Sequence, residues 1–169
     1  MSGWAAGVAD AVHGAGIRDV VYVPDNPLSF VLGEFERRFR DVRLVLATRE
    51  EEAFGIAAGL YLGGRPPSVM LQSSGLGNSI NALTTLILPY RIPMLIVVSM
   101  RGDDGEWNAA QVPMGRAVRP ILDAIGIPHL TARPPVSDIV RASARAAFDS
   151  KVPNAVLLPR RLTTSAGPR

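Results

Sequence analysis

The chain has no cysteine and only two histidines among its 169 residues. The lack of cysteine excludes disulfides, thiolate metal sites and cysteine nucleophiles. His13 and His129 are isolated in the sequence, which argues against a histidine-based metal site, and we assign neither residue a role. We therefore expect this chain to supply no metal ligands.

Aromatic residues are also scarce, and positive charge comes almost entirely from arginine. Aromatics make up 6% of the chain, and Lys151 is the only lysine among 18 basic residues, for a net charge of +3. No extended basic stripe with interleaved aromatics is present, so nucleic acid is not expected as a partner. We interpret the basic clusters at 37–40 and 160–161 as solvated helix or chain ends.

Long hydrophobic runs are missing as well, although 47% of the residues are hydrophobic. The longest apolar stretch, residues 83–98, is broken by Pro89, Arg91 and Pro93, which excludes a membrane span there. The first residues lack the charged region and apolar core of a signal peptide. We therefore expect a soluble, cytoplasmic protein with no membrane partner.

Hydrophobic periodicity predicts helices and strands that alternate along the whole chain. The predicted strands are residues 19–23, 42–47, 68–72, 94–99, about 129–130 and 154–158. Predicted helices begin at Ser2, Pro27, Glu50, Gly75, Arg116 and Val136, with a polar loop at 100–115 and a frayed tail from Thr163. This alternation predicts a three-layer α/β/α fold with a six-stranded, mostly parallel sheet. We expect one domain over residues 1–169, with an ordered core of about 3–162.

The candidate ligand-binding residues of this chain lie at two predicted helix starts. Glu50, Glu51 and Glu52 open a helix of small residues, and after the next strand the glycine-rich turn 73–78 opens another helix. We expect both at the carboxyl ends of neighbouring strands, where open α/β sheets bind ligands. Each has an ordinary alternative: acidic residues in a first turn stabilise the helix dipole by about 0.3–1 kcal/mol, and glycines permit positive φ in a tight turn.

Nucleotide-binding motifs are incomplete or absent. Gly75-x-Gly77 lacks the third glycine of a dinucleotide fingerprint, because Ile80 occupies that position, and it follows the third strand instead of the first. No Gly-Lys-Ser/Thr segment occurs, which excludes a P-loop.

Together, the segments 49–59 and 73–78 and the strand between them resemble the pyrimidine-binding half of thiamine diphosphate enzymes. The resemblance is greatest to the alpha subunit of two-subunit sulfopyruvate decarboxylases, and next to phosphonopyruvate decarboxylases. It covers residues 5–160 and includes the stretches 72–83, 99–102 and 111–116. It implies the pyrimidine-binding domain of such an enzyme and a subunit of a 2-oxo acid decarboxylase. The implied substrate is a three-carbon oxo acid with a second anionic group.

The resemblance also implies a set of site residues. In the family a glutamate lies nine residues before the glycine of an Ala-x-Gly segment, and counting back from Gly59 gives Glu50. Glu50 is expected to hydrogen-bond the cofactor's aminopyrimidine and activate the cofactor, with Glu51 and Glu52 at variable positions. The expected cofactor-binding residues are Glu50, Pro24, Gln72, Ser73, Gly75, Leu76 and Asn78. The expected substrate residues are Asp25, Asn26, Arg101 and Arg116. An Asx turn at Asp25 and surface charge at either arginine remain open.

The second half of such a site is missing from the sequence. The family holds magnesium and the diphosphate with Gly-Asp-Gly and a downstream asparagine, which the segment Gly102-Asp103-Asp104-Gly105 imitates only superficially. The resemblance therefore implies thiamine diphosphate and Mg²⁺ held by a beta-type partner subunit, in a hetero-oligomer of alpha and beta dimers. Three alternatives remain: a carboligase or synthase subunit, a non-catalytic regulatory subunit of the same fold, and a flavodoxin-like nucleotide-binding module.

Overall fold

The computed structural model describes residues 3–164, in which six strands form one sheet of order β2-β1-β3-β4-β6-β5. All five neighbouring pairs are parallel, which sharpens the expectation of a mostly parallel sheet. The strands are β1 (Asp19–Tyr22), β2 (Arg43–Leu46), β3 (Pro67–Gln72), β4 (Leu95–Ser99), β5 (His129–Thr131) and β6 (Asn154–Leu158).

Helices cover both faces of this sheet, so the predicted three-layer α/β/α fold is confirmed. They are α1 (Gly3–Gly14), α2 (Asn26–Arg38), α3 (Glu50–Leu62), α4 (Ser73–Asn78), α5 (Ile80–Ala82), α6 (Val112–Ile125), α7 (Val136–Ser150) and α8 (Arg160–Thr164). A π-helical turn (Leu83–Ile87) and a 3₁₀ turn (Ala109–Gln111) complete the helical segments of residues 3–164. Residues of α3, α4 and α6 share one core cluster with the sheet, and residues of α1, α2 and α7 share the other.

The central strands are buried on both faces because helices cover both. In β4, Leu95 and Val97 pack in the cluster with α1 and α7, while Ile96 and Val98 pack in the cluster with α3 and α6. This alternation is the period of two expected of a strand. Burial of a side chain of this size stabilises the fold by about 1.5–3 kcal/mol.

Two sequence expectations about local structure are wrong. The helix expected at Arg116 begins at Val112, because Pro113 occupies its first turn, where proline suits a helix start. Thr163 and Thr164 are not frayed: they close α8, and both hydroxyls donate to the Arg160 carbonyl at 3.1 and 2.9 Å. Ser2 and the end of the predicted tail lie outside the described residues.

The strand order also corrects the expected position of the two helix starts. β1 lies between β2 and β3, so the strands before Glu50 and Ser73 are not neighbours. From β1 the chain passes to β2 on one side and then crosses back to β3 on the other side, which makes the β1–β3 boundary the topological switch point of the sheet. Helix α3 connects β2 to β3 across β1, and its first turn thereby comes close to α4. Within residues 3–164 no helix is both long and apolar enough to cross a bilayer.

Candidate functional site

The Glu50 carboxylate lies directly over Gly75. A β-carbon added to Gly75 would lie 2.6 Å from Glu50 Oε1 and 2.7 Å from its Cδ, closer than any ordinary contact. Gly75 has no positive φ, so glycine is needed here for the space that Glu50 occupies and not for the backbone angle suggested by the sequence. Asn78 Nδ2 donates to Glu50 Oε2 at 3.4 Å, and Glu50 is only half-buried. The first turns of α3 and α4 thus place one carboxylate at an open position.

The two following carboxylates face elsewhere. Glu52 Oε2 accepts a hydrogen bond from the Thr48 backbone N–H at 2.6 Å, and Glu51 Oε1 pairs with Arg49 Nε at 2.9 Å. Glu52 therefore closes the start of α3, in the manner of a capping residue. Of the three carboxylates, Glu50 is the one that lies against the α4 turn, and the choice of Glu50 as the catalytic residue stays a prediction.

The predicted residues around β3 and α4 are close together but differ in exposure. Gln72 ends β3, and its Oε1 is buried with no hydrogen-bond partner among the described residues. Ser73 is fully buried and donates its hydroxyl to the Arg101 carbonyl at 2.7 Å. Leu76 is fully buried in the core with α3, so the structure places this predicted cofactor-binding residue behind the site and not on its surface.

Asp25 is engaged by side chains from β4 and the loop after it. Its carboxylate is 5% exposed, accepts a hydrogen bond from Ser99 Oγ, and lies 3.6 Å from Arg101 NH1. Asp25 precedes α2, but its side chain makes no capping bond there, so the Asx turn considered from the sequence does not form. Pro24 and Asn26, on either side, are exposed.

Glu106 is a part of this region that the sequence did not indicate. Its side chain is 1% exposed and accepts hydrogen bonds from the backbone N–H groups of Gly102 and Asn108, both at 3.1 Å, and from Arg101 Nε at 3.2 Å. Arg160 NH1 lies 3.5 Å from the same carboxylate. Burial raises the pKa of Glu106, but these donors and the Arg160 charge outweigh it and hold the pKa below its usual value.

The arginines of the region fall into two groups. Arg160 is 12% exposed and bound to Glu106, so our interpretation of residues 160–161 as a solvated chain end is wrong for this residue. Arg101 is 19% exposed and paired with two carboxylates. Arg116, by contrast, is exposed and forms no ion pair with the described residues. It lines a surface cavity of about 410 Å³ between residues 102–106 and α6.

The acidic loop residues do not form a metal site. Asp103 is held by Arg119 at 3.2 Å, and Asp104 pairs with Arg161. Within residues 3–164 no group of three histidine, cysteine or carboxylate side chains is placed to bind a metal ion. The segment 102–105 therefore functions as an ion-paired loop in this structure, and Gly102 packs its backbone against Gly115.

The segment that contains both helix starts matches a known protein family. Residues 4–112 match the family described as "Thiamine pyrophosphate enzyme, N-terminal TPP binding domain". The chain is 37% identical over 153 residues to sulfopyruvate decarboxylase subunit alpha of Methanococcus maripaludis, covering 89% of this chain and 91% of that protein. The same subunit of Methanothermobacter thermautotrophicus is 45% identical over 130 residues, with 77% and 76% covered.

A longer relative aligns over only part of its length. Phosphonopyruvate decarboxylase of Streptomyces viridochromogenes is 38% identical over 120 residues, which are 69% of this chain but 30% of that enzyme. The family match spans well over half of this chain and includes Glu50, Gly75 and Asn78. With this match, the carboxylate over Gly75 and the parallel three-layer fold, the chain belongs to the thiamine pyrophosphate enzyme family, as a protein containing its N-terminal TPP-binding domain.

Proposed function

We propose that this chain is the pyrimidine-binding subunit of a thiamine diphosphate-dependent 2-oxo acid decarboxylase of the sulfopyruvate or phosphonopyruvate type. The observation that carries the proposal is the Glu50 carboxylate, held over Gly75 at an open, half-buried helix start. The names of the similar proteins support both the reaction and the substrate class.

The residues at this site fit the aminopyrimidine of the cofactor. The Glu50 carboxyl group can share a proton with a ring nitrogen, and the absence of a β-carbon at Gly75 leaves room for the carboxylate to lie there. Gln72 Oε1 is a buried acceptor without a partner among the described residues, and a buried acceptor of this kind needs a donor. An amino group of the pyrimidine would supply one. When bound, thiamine diphosphate provides the electron sink for decarboxylation.

The side chains of this chain then have separate tasks. Glu50 holds or releases a proton at its carboxylate, while the Asn78 amide orients Oε2 from 3.4 Å. Pro24 is exposed at the rim of the site, and the buried residues Ser73 and Leu76 support it from the core side. General acid–base catalysis by a positioned carboxyl group contributes about 10²–10⁴-fold to such reactions.

We assign substrate recognition to residues other than those that would bind the cofactor. Arg101 was a candidate cation for the second anionic group, but its guanidinium already faces Asp25 and Glu106. Arg116 is free of ion pairs in the described residues and opens onto the adjacent cavity, so we assign it the sulfonate or phosphonate. Asn26 is exposed next to Asp25, and we place both near the oxo acid.

The diphosphate and Mg²⁺ would be held by a partner subunit with Gly-Asp-Gly and a downstream asparagine. The described residues offer no metal-ligating cluster of their own. Helix α3 presents Gly55, Gly59 and Leu62 to solvent, and Leu62 is 77% exposed. Because α3 begins at Glu50, a subunit that covers this apolar face reaches the catalytic carboxylate. We propose a hetero-oligomer of alpha and beta dimers located in the cytoplasm.

The test is reconstitution. The chain, the partner and the mixture are each supplied with thiamine diphosphate, Mg²⁺ and either sulfopyruvate, phosphonopyruvate or pyruvate, and released carbon dioxide is measured. We expect turnover only in the mixture and preferentially with a doubly anionic substrate. Turnover by the chain alone, or none by the mixture with either doubly anionic substrate, would contradict the proposal. An added aldehyde acceptor distinguishes carboligation by its product.

A further inference from the structure

We propose that Glu106 is a positioning residue of the candidate site, which acts through Arg101 to hold Asp25 at the carboxyl end of β1. The catalytic part of this inference rests on the proposed function. Glu106 lies in the loop between β4 and α6, yet its side chain is 1% exposed, whereas the adjacent Trp107 is 78% exposed. A carboxylate buried in a surface loop requires several compensating donors.

Every polar contact of the Glu106 carboxylate is with a donor. Its oxygens face the N–H groups of Gly102 and Asn108, the Arg101 Nε and the Arg160 NH1, at 3.1 to 3.5 Å. A glutamine at this position would direct its own NH₂ group at one of these donors. The structure therefore requires an ionised carboxylate at Glu106, because an amide of the same shape cannot satisfy the site.

The Arg101 guanidinium connects this carboxylate to Asp25. Its Nε lies 3.2 Å from Glu106 Oε2, and its NH1 lies 3.6 Å from Asp25 Oδ1. The guanidinium is planar and its donors form a rigid fork, so the position of one carboxylate restricts the other. Ser73 holds the Arg101 main-chain carbonyl, and Ser99 donates to Asp25. Three strand ends and the loop are thus joined in one network.

This network has a consequence for the charge of the site. Two carboxylates neutralise Arg101, so it is a fixed internal cation and not an anion receptor. Glu106 keeps the guanidinium directed at Asp25 although it touches neither cofactor nor substrate. Loss of the Glu106 charge would leave Arg101 with Asp25 alone and release the backbone at Gly102 and Asn108.

A double-mutant cycle with Glu106→Gln and Asp25→Asn tests the inference in the reconstituted enzyme. Each single variant is expected to lower kcat/KM by about 10–100-fold, the range for residues that position a functional group. The double variant is expected to be within about threefold of Asp25→Asn alone, because Glu106 then has nothing left to position. Effects that multiply instead would overturn the positioning role. Glu106→Asp, which retains the charge, should be the milder substitution.

Glu34 is a matched control. It is a buried carboxylate, 8% exposed, that pairs with Arg37 and Arg38 on the far part of α2. Burial raises the pKa of Glu34, but the hydrogen bonds from both arginines outweigh it, so its pKa is lowered, as that of Glu106 is. Glu34→Gln combined with Asp25→Asn is expected to give multiplicative effects on kcat/KM.

Urea unfolding of the same full-length chains provides an arm that needs no activity. Removing both carboxylates leaves Arg101 unpaired, so the Glu106→Gln/Asp25→Asn double variant should lose more unfolding free energy than the sum of the two single variants. In the control, the losses of Glu34→Gln and Asp25→Asn should be additive. Additive losses for Glu106 and Asp25 would overturn the coupling. If the wild-type enzyme has no decarboxylase activity, only the proposed function is contradicted. The unfolding measurements would still decide whether Glu106 and Asp25 are coupled.

Discussion

Replacing Gly75 by alanine tests whether the Glu50 side chain occupies the space next to this glycine. The new methyl group would lie 2.7 Å from Glu50 Cδ and 2.6 Å from Oε1, whereas ordinary contacts begin near 3.4 Å. The Glu50 carboxyl carbon must therefore move by about 0.7 Å or more to restore a normal carbon contact. A displacement of about 1 Å can lower the rate about 10²-fold when a reacting group must be positioned accurately.

The same substitution should have a small effect on the fold. Gly75 lies in α4 without a positive φ, and alanine is better than glycine in a helix by about 0.5–1 kcal/mol. This gain opposes the cost of moving the half-buried Glu50 side chain, which the added methyl group would contact from Cγ to the carboxylate. We expect Gly75→Ala to change the unfolding free energy by less than about 1 kcal/mol while turnover falls about 100-fold or more.

The assay is carbon dioxide release by the reconstituted enzyme, together with urea unfolding of the chain. Two glycines are controls. A β-carbon at Gly77 would meet the flexible end of Met114, and one at Gly33 would meet nothing within 4 Å, so both alanine variants should retain activity. Full activity of Gly75→Ala, or equal losses at Gly75 and Gly77, would refute the inference that Glu50 occupies this space.

Three further predictions concern stability. Glu52→Ala removes the acceptor for the Thr48 N–H and should cost about 0.5–2 kcal/mol in urea unfolding, whereas Glu52→Gln should cost little. Asp19→Asn removes a carboxylate, 1% exposed, from two half-exposed arginines, Arg43 and Arg65, and should cost about 1–3 kcal/mol, an effect that added salt reduces only in part. Because the pKa of Glu106 lies below its ordinary value of 4.5, its contribution to stability is present above that pH and lost as pH falls through the lowered pKa. Acid titration of unfolding should therefore show a steeper loss below about pH 4.5 for wild type than for Glu106→Gln; parallel curves would contradict this assignment.

Local patterns were enough to predict most of the fold. β6 begins and ends as predicted, and α3 begins at Glu50 as predicted. These segments have strong periodicity and clear boundary residues, so tertiary contacts reinforce the local preference. The start of α6 was placed too late although Pro113 marked it, because Gly115 was interpreted as the end of a loop. In the structure Gly115 is glycine because it packs against Gly102.

The candidate site was predictable only where its residues follow a local spacing. Glu50 was identified by its distance from Gly59, and the structure places its side chain against the predicted Gly75 turn. Glu106 and Arg160 were missed because they are far apart in the sequence and meet only when β4 and β6 pair. Neither residue has a neighbouring motif that indicates burial, and only the parallel register brings the two loops together.

The role of Glu50 is tested most directly by the turnover of the Glu50→Gln enzyme, reconstituted with its partner and compared with Glu52→Gln. Glutamine retains the size of the side chain and an acceptor for Asn78 but cannot share a carboxyl proton with the cofactor. We expect a loss of about 10²–10⁴-fold in kcat for Glu50→Gln and nearly unchanged turnover for Glu52→Gln. Normal carbon dioxide release by Glu50→Gln would contradict the assignment of Glu50 as the activating group.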